Sequence, residues 1–249
     1  PEYDEKFYNT AFVVSPDGEV IHTHRKVTPL LPVERSVSPH DVWDDWTEHH
    51  GDDLDDLFPV VDTDIGRIGI SLAIEGAYPE YVRGLAMNGA EIVCRIACPE
   101  PLVANDSWEI QNRARALDNT CYVVAPNLGT YYVTPDADTP VDTFGGGSMV
   151  VDHRGQILAE HAYGAGSSYC AATVDVEGLR EHRTSSPLTN WLKDLRTELI
   201  RPIYDREIYP KNLWLDRQPV DHETYAEEVT ERQIEKMVEA DIFVPPYHE

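Results

Sequence analysis

The sequence predicts an α/β fold, and three observations carry that expectation. Between Phe58 and Ala97 the pattern alternates, with FPVVDTD and GRIGISLAI reading as strands, EYVRGLAMNGA as a helix and EIVCRIA as a further strand. A second helix-strand pair follows, a helix from about Ser107 to Asn119 and then the strand CYVVAPN. The length of 249 residues and the 41% hydrophobic content suffice for one large domain with a core of its own, or for two small ones.

The elements justify themselves in order along the chain. YNTAFVVSPDGEVIHTHRK reads as a hairpin: Thr10 to Val14 is rich in strand formers, PDG is a turn, and Val20 to His24 is the return strand, with Lys26 just past it. From Asp41 to Leu57 acidic residues and histidines dominate with little apolar periodicity, so a solvated surface excursion is expected. The helix carrying Tyr81, Leu85 and Met87 stops at Asn88-Gly89. SMVVDHRGQILAE is a second hairpin turning at Asp152 to Gly155, and ATVDVEGLREHR is expected to give one last strand running into a helix. After Pro202 the rhythm is lost apart from one helix, Glu223 to Ala240. The expected division is therefore a domain over 1–201 and an extension over 202–249 that lies across the domain or a partner subunit.

Composition narrows the function classes. Forty-five acidic against 20 basic residues give a formal charge of -25, which opposes binding to nucleic acid or anionic lipid. No run approaches the roughly 20 apolar residues of a membrane span, and PEYDEKFYNT does not read as a signal peptide, so a cytoplasmic protein is expected. Cys94, Cys98, Cys121 and Cys170 lack the spacing of a zinc site and read as core thiols. Gly145 to Gly147 leads into a strand rather than a helix, so it reads as a close approach between strands and not as a phosphate cradle. Trp108 and Asp106 are equally compatible with a pocket wall and with core, and receive no role.

The segment where chemistry is expected is GRIGISLAIEGAYPE, residues 66–80, in which a strand ends in a short turn just before a helix. Such turns display one side chain beside N–H groups that can hold a developing oxyanion. This segment, with EYVRGLAMNGAEIV behind it, resembles the nucleophile segment of the carbon-nitrogen hydrolases of the nitrilase superfamily, and Ala73 stands where their cysteine does. HRKVTPLLPVE resembles the lysine loop of that family, with Lys26 matching the catalytic lysine and Glu34 an auxiliary glutamate. WEIQNRARALDNTCYVVAPN and FGGGSMVVDHRGQILAE resemble the segments that follow the nucleophile, so the likeness runs from about Tyr8 to Val176.

The resemblance implies an α-β-β-α sandwich and a Cys-Glu-Lys amidohydrolase acting on a small linear amide without metal or organic cofactor. It also implies a homo-oligomer. Lys26 would stabilise the oxyanion and Glu34 would orient Lys26 or the substrate. Ile74 follows Ala73 where nitrilases carry tryptophan, so amide outranks nitrile. Two departures are expected to matter. Ala73 has no nucleophilic atom, and neither Ser71 nor Glu75 replaces it, because a one-residue slip reverses the face and a two-residue slip moves the side chain about 7 Å. The family's general-base glutamate precedes the lysine by a long way, and Glu2 and Glu5 lie too close to Lys26 to match it. The front strands are therefore expected to be missing from this sequence and supplied by a preceding segment or another chain. Two functions follow as expectations: an amidase disabled at residue 73, or a natural pseudoenzyme that binds or scaffolds.

Overall fold

In the computed structural model strand-forming runs and amphipathic segments alternate from Thr10 onward, much as the pattern predicts. The structure describes residues 6–30, 34–97, 105–132, 134, 136–139, 142–143, 145–161 and 168–246. Glu2, Glu5 and Cys98 lie outside the described residues. In chain order the strands are β1 (Thr10–Val14), β2 (Val20–Arg25), β3 (Val60–Thr63), β4 (Gly66–Leu72), β5 (Ile92–Ile96), β6 (Tyr122–Ala125), β7 (Thr130–Tyr131), β8 (Asp142–Thr143), β9 (Met149–Val151) and β10 (Ile157–Glu160). The helices are α1 (Trp43–His50), α2 (Leu54–Leu57), α3 (Pro79–Met87), α4 (Ser107–Asn119), α5 (Val176–Ser185), α6 (Thr197–Ile200), α7 (His222–Tyr225) and α8 (Glu231–Glu239).

The chain divides into two units, one of residues 1–10, 25–51 and 196–249, the other of residues 11–24 and 52–195. The second unit is built on a mixed six-stranded sheet in the order β10-β9-β6-β5-β4-β3, parallel from β4 through β5 to β6 and antiparallel elsewhere. Its central strands β4, β5, β6 and β9 are almost wholly buried, which accounts for their largely apolar runs. The outer strand β10 alternates half-buried and exposed residues, as an edge strand with one wet face should.

Both faces of the sheet are covered. Ala11 and Val13 of β1 pack on Ile70 and Leu72 of β4, so the hairpin forms a second β layer there. Gly69 points to the opposite face, where a Cβ would press on Leu85 of α3 at 3.2 Å. Elsewhere in this unit Leu179 of α5 joins Ile92, Tyr122, Val174 and Val176. Among the described residues the second β layer is this two-stranded hairpin, while β7 and β8 make a separate two-stranded ladder.

The first unit has its own core of Val37, Trp214, Tyr225 and Val229, flanked by Tyr8, Tyr209, Leu213 and Val220. The residues after Arg196 thus share a core with two early segments of the chain. The predicted Glu223–Ala240 helix is present as α7, a π turn over Ala226–Thr230 and α8.

Two expectations are corrected. The acidic stretch from Asp41 to Leu57 is not a solvated excursion, because it folds into α1, α2 and a 3-10 turn over Pro39–Val42. Val42 and Trp46, four residues apart, fall on one buried face, and Ser38 caps the buried Asp41, an arrangement hidden by the surrounding charge. The strand expected in ATVDV does not form: Val174 and Val176 pack against the sheet with no ladder, and Asp175 instead caps α5 through the Gly178 N–H at 2.8 Å.

Candidate active site

Ala73 occupies the first position after β4, and its φ is +49°, a left-handed conformation that costs an L-residue about 1 kcal/mol or more. The chain then makes a 3-10 turn over Ala73–Ala77 before Pro79 opens α3. A strained, non-glycine residue at a strand-to-helix turn is the geometry of a displayed nucleophile.

Buried charge holds that turn in place. Arg95 of β5, 1% exposed, donates from Nε to the Ala73 carbonyl at 3.0 Å, and from its other nitrogens to Asn112 Oδ1 at 3.1 Å and Gln111 Oε1 at 2.8 Å. Its guanidinium lies 4.4 Å from the centre of the Trp108 ring, which is itself fixed by Nε1 donating to the Gly147 carbonyl at 2.9 Å. Trp108 is thus core, and it serves the turn through Arg95. Arg115 of α4 donates to the carbonyls of Gly76 at 3.0 Å and Ala77 at 2.7 Å. Gly76 is required where it stands, since a Cβ there would overlap Nε and Cδ of Arg95 and lie 2.7 Å from its Cζ.

Glu75, fully buried, turns inward. It accepts the Leu72 N–H at 2.6 Å and pairs with His24 Nε2 at 3.0 Å, and the Tyr81 hydroxyl bonds the His24 ring and donates to the Ile70 carbonyl at 3.2 Å. Burial, and then the neighbouring Glu75 charge, push the Tyr81 phenol well above its ordinary pKa, so it remains a neutral donor. Glu75 is therefore engaged in holding the end of β4, in keeping with the reading that it does not replace the nucleophile.

In the first unit the structure brings together the other two predicted residues. Lys26, 2% exposed, donates to Glu34 Oε2 at 2.6 Å, and Glu34 also accepts the Leu30 N–H at 2.6 Å and Asn9 Nδ2 at 2.9 Å. Half-burial works to raise the Glu34 pKa, yet the bonds from Lys26, Leu30 and Asn9 outweigh it and hold the carboxyl below the usual range. A surface lysine would not be buried on a carboxylate held by three donors.

Sequence reasoning missed Arg95, Arg115, His24 and Tyr81. An arginine inside the apolar run EIVCRIA was a usable signal, because a buried charge demands a partner. Cys94 and Cys121 are poor candidates for an alternative nucleophile, because burial pushes Cys94 up to about 11 and Cys121 up to about 12. Gly146 and Gly147 both have positive φ, and Gly146 N–H donates to the Leu128 carbonyl at 3.0 Å, a close backbone approach that lies between loop residues rather than between strands. No group of three metal-ligating side chains occurs among the described residues. No described helix is long and apolar enough to cross a membrane.

Comparison with known proteins adds independent findings. The carbon-nitrogen hydrolase family model matches residues 1–184. The deaminated glutathione amidase of Mus musculus is 30% identical over 188 residues, which cover 75% of this chain and 54% of that protein. The omega-amidase of Saccharomyces cerevisiae is 30% identical over 197 residues, covering 76% of this chain and 61% of that one. The chain thus spans little more than half the length of these relatives. A carbon-nitrogen hydrolase structure from Helicobacter pylori superposes with a TM-score of 0.63 at 24% identity, over 83% of this chain and 68% of the other, a likeness of fold.

Proposed function

Because this chain belongs to the carbon-nitrogen hydrolase family, we propose that it is built as an amidase for a small linear amide and stands here without its nucleophile, which Ala73 replaces. The observation that carries the reading is the strained left-handed turn at Ala73, maintained although alanine performs no chemistry there. In the proposed reaction a thiolate at position 73 attacks the amide carbon and forms a tetrahedral oxyanion. The nitrogen takes up the proton given up by the thiol and leaves as ammonia when the intermediate collapses, and water then cleaves the acyl thioester to the carboxylic acid and returns the thiol. Lys26 carries the charge-stabilising role and Glu34 the role of orienting Lys26, in keeping with the 2.6 Å pair they form. Amidase relatives favour an amide over a nitrile. A homo-oligomer is part of the proposal, and a monomer mass by light scattering would remove it.

A second reading has one observation in its favour, Ala73 itself: a natural pseudoenzyme of this fold that binds or scaffolds. Ammonia release across a panel of small amides and nitriles, by the Ala73→Cys protein joined to a preceding segment that carries the general-base glutamate, separates the two. Turnover supports the amidase, whereas a folded Ala73→Cys protein inert to every amide and nitrile supports the pseudoenzyme.

A further inference from the structure

We propose that Arg95 is a positioning residue for position 73: by holding the residue 73 carbonyl it fixes the strained turn and aims the Ile74 N–H at the reacting group. This rests on the reading of position 73 as the nucleophile station. The peptide between residues 73 and 74 is planar and trans, so its C=O and N–H point in opposite directions. Arg95 Nε draws the Ala73 carbonyl to one side at 3.0 Å, and the Ile74 N–H is thereby directed to the other. At a strand-to-helix turn that N–H is the donor placed for an oxyanion on a residue 73 adduct.

The arginine is itself immobilised. Asn112 and Gln111 hold its remaining nitrogens, Trp108 supports its face, and Gly76 leaves the space it fills. A cation so close to the turn also favours a thiolate at position 73 over a thiol. Among the described residues, the other charged or titratable groups bonded at or beside the turn include Glu75 from the turn itself, Arg115 from α4, His24 from β2 and Tyr81 from α3.

The test places the thiol and then removes the cation. In the Ala73→Cys protein the alkylation rate of the residue 73 thiol by iodoacetamide, mapped by peptide mass against pH, gives its pKa without any need for turnover. Ala73→Cys/Arg95→Met and Ala73→Cys/Arg95→Gln are expected to raise that pKa by about one unit or more. Arg95→Lys, which keeps the charge, is expected to recover at least half of the shift. With a working amidase, kcat should fall about 100-fold in the neutral variants with KM little changed, the signature of a lost oxyanion donor. The two neutral replacements differ in polarity, so one that fails to fold leaves the other as the reading. A pKa unchanged by a folded neutral variant overturns the role of Arg95 even if Ala73→Cys is active. A pKa that follows Arg95 in a protein that releases no ammonia sustains that role and removes the amidase reading.

Discussion

Gly76→Ala puts the tightest packing at the turn under direct strain. The added Cβ overlaps Nε and Cδ of Arg95 and comes within 2.7 Å of Cζ, so the guanidinium must shift by about an ångström to reach ordinary contact. It has nowhere wet to go, being 1% exposed and enclosed by Asn112, Gln111 and Trp108. Overpacking of this kind costs about 1–3 kcal/mol, and losing the charge-assisted bond to the Ala73 carbonyl adds about 1.5–3 kcal/mol. The expected loss is therefore about 3–5 kcal/mol, a large share of a normal domain's stability. In urea this moves the unfolding midpoint down by about 1–2 M if the slope is near 2.5 kcal/mol per M. Tryptophan emission is the suitable probe, because Trp108 lies against the displaced arginine. A midpoint within about 0.3 M of the parent, on the order of measurement error, refutes the claim that Arg95 is locked in place.

Ala73→Gly tests the strain at that position from the opposite side. Relief of the left-handed φ outweighs the added freedom of the unfolded chain, so stability should rise by about 0.5–1 kcal/mol, a Tm increase of about 1–3 °C; a fall in Tm contradicts the assigned backbone. Glu34→Gln leaves the buried Lys26 ammonium without its carboxylate and should cost about 2–3 kcal/mol at pH 7, after allowance for the partial exposure of Glu34. The sign with pH follows from the lowered Glu34 pKa: its contribution is complete above the unfolded value of about 4.3 and is lost as pH falls through the lower folded value. The parent and Glu34→Gln proteins should thus converge in urea midpoint as the pH falls below about 4.3. A gap between them that persists undiminished at acid pH would count against the pair.

Much of the fold was legible because its signals are local. The hairpin at Thr10–Val14, α4 at Ser107–Asn119 and the Asp152–Gly155 turn all rest on short-range chemistry, and each lies where the pattern placed it. Residues 41–57 were misread because Asp and Glu masked Val42 and Trp46, whose burial depends on neighbours distant in sequence. ATVDV has strand propensity but no ladder, and propensity alone supplies no hydrogen-bond partner.

At the candidate site, Lys26 and Glu34 were legible through the resemblance of HRKVTPLLPVE to the family's lysine loop, and the structure pairs them. Ala73 was legible through the resemblance of GRIGISLAIEGAYPE to the family's nucleophile segment, and the structure places it between a strand and a helix. The arginines that hold this turn come from β5 and α4, 22 and 39 residues away from the carbonyls they bind. No single-sequence periodicity connects such positions. His24 and Glu75, 51 residues apart, escape for the same reason.

The central claim is that position 73 is the station of a nucleophile, and intact mass with peptide mapping of the Ala73→Cys protein mixed with small amides tests it most directly. The account predicts an acyl adduct on residue 73 that disappears as acid and ammonia are released. A folded Ala73→Cys protein that is never acylated at that residue, by any amide or activated ester, would contradict it.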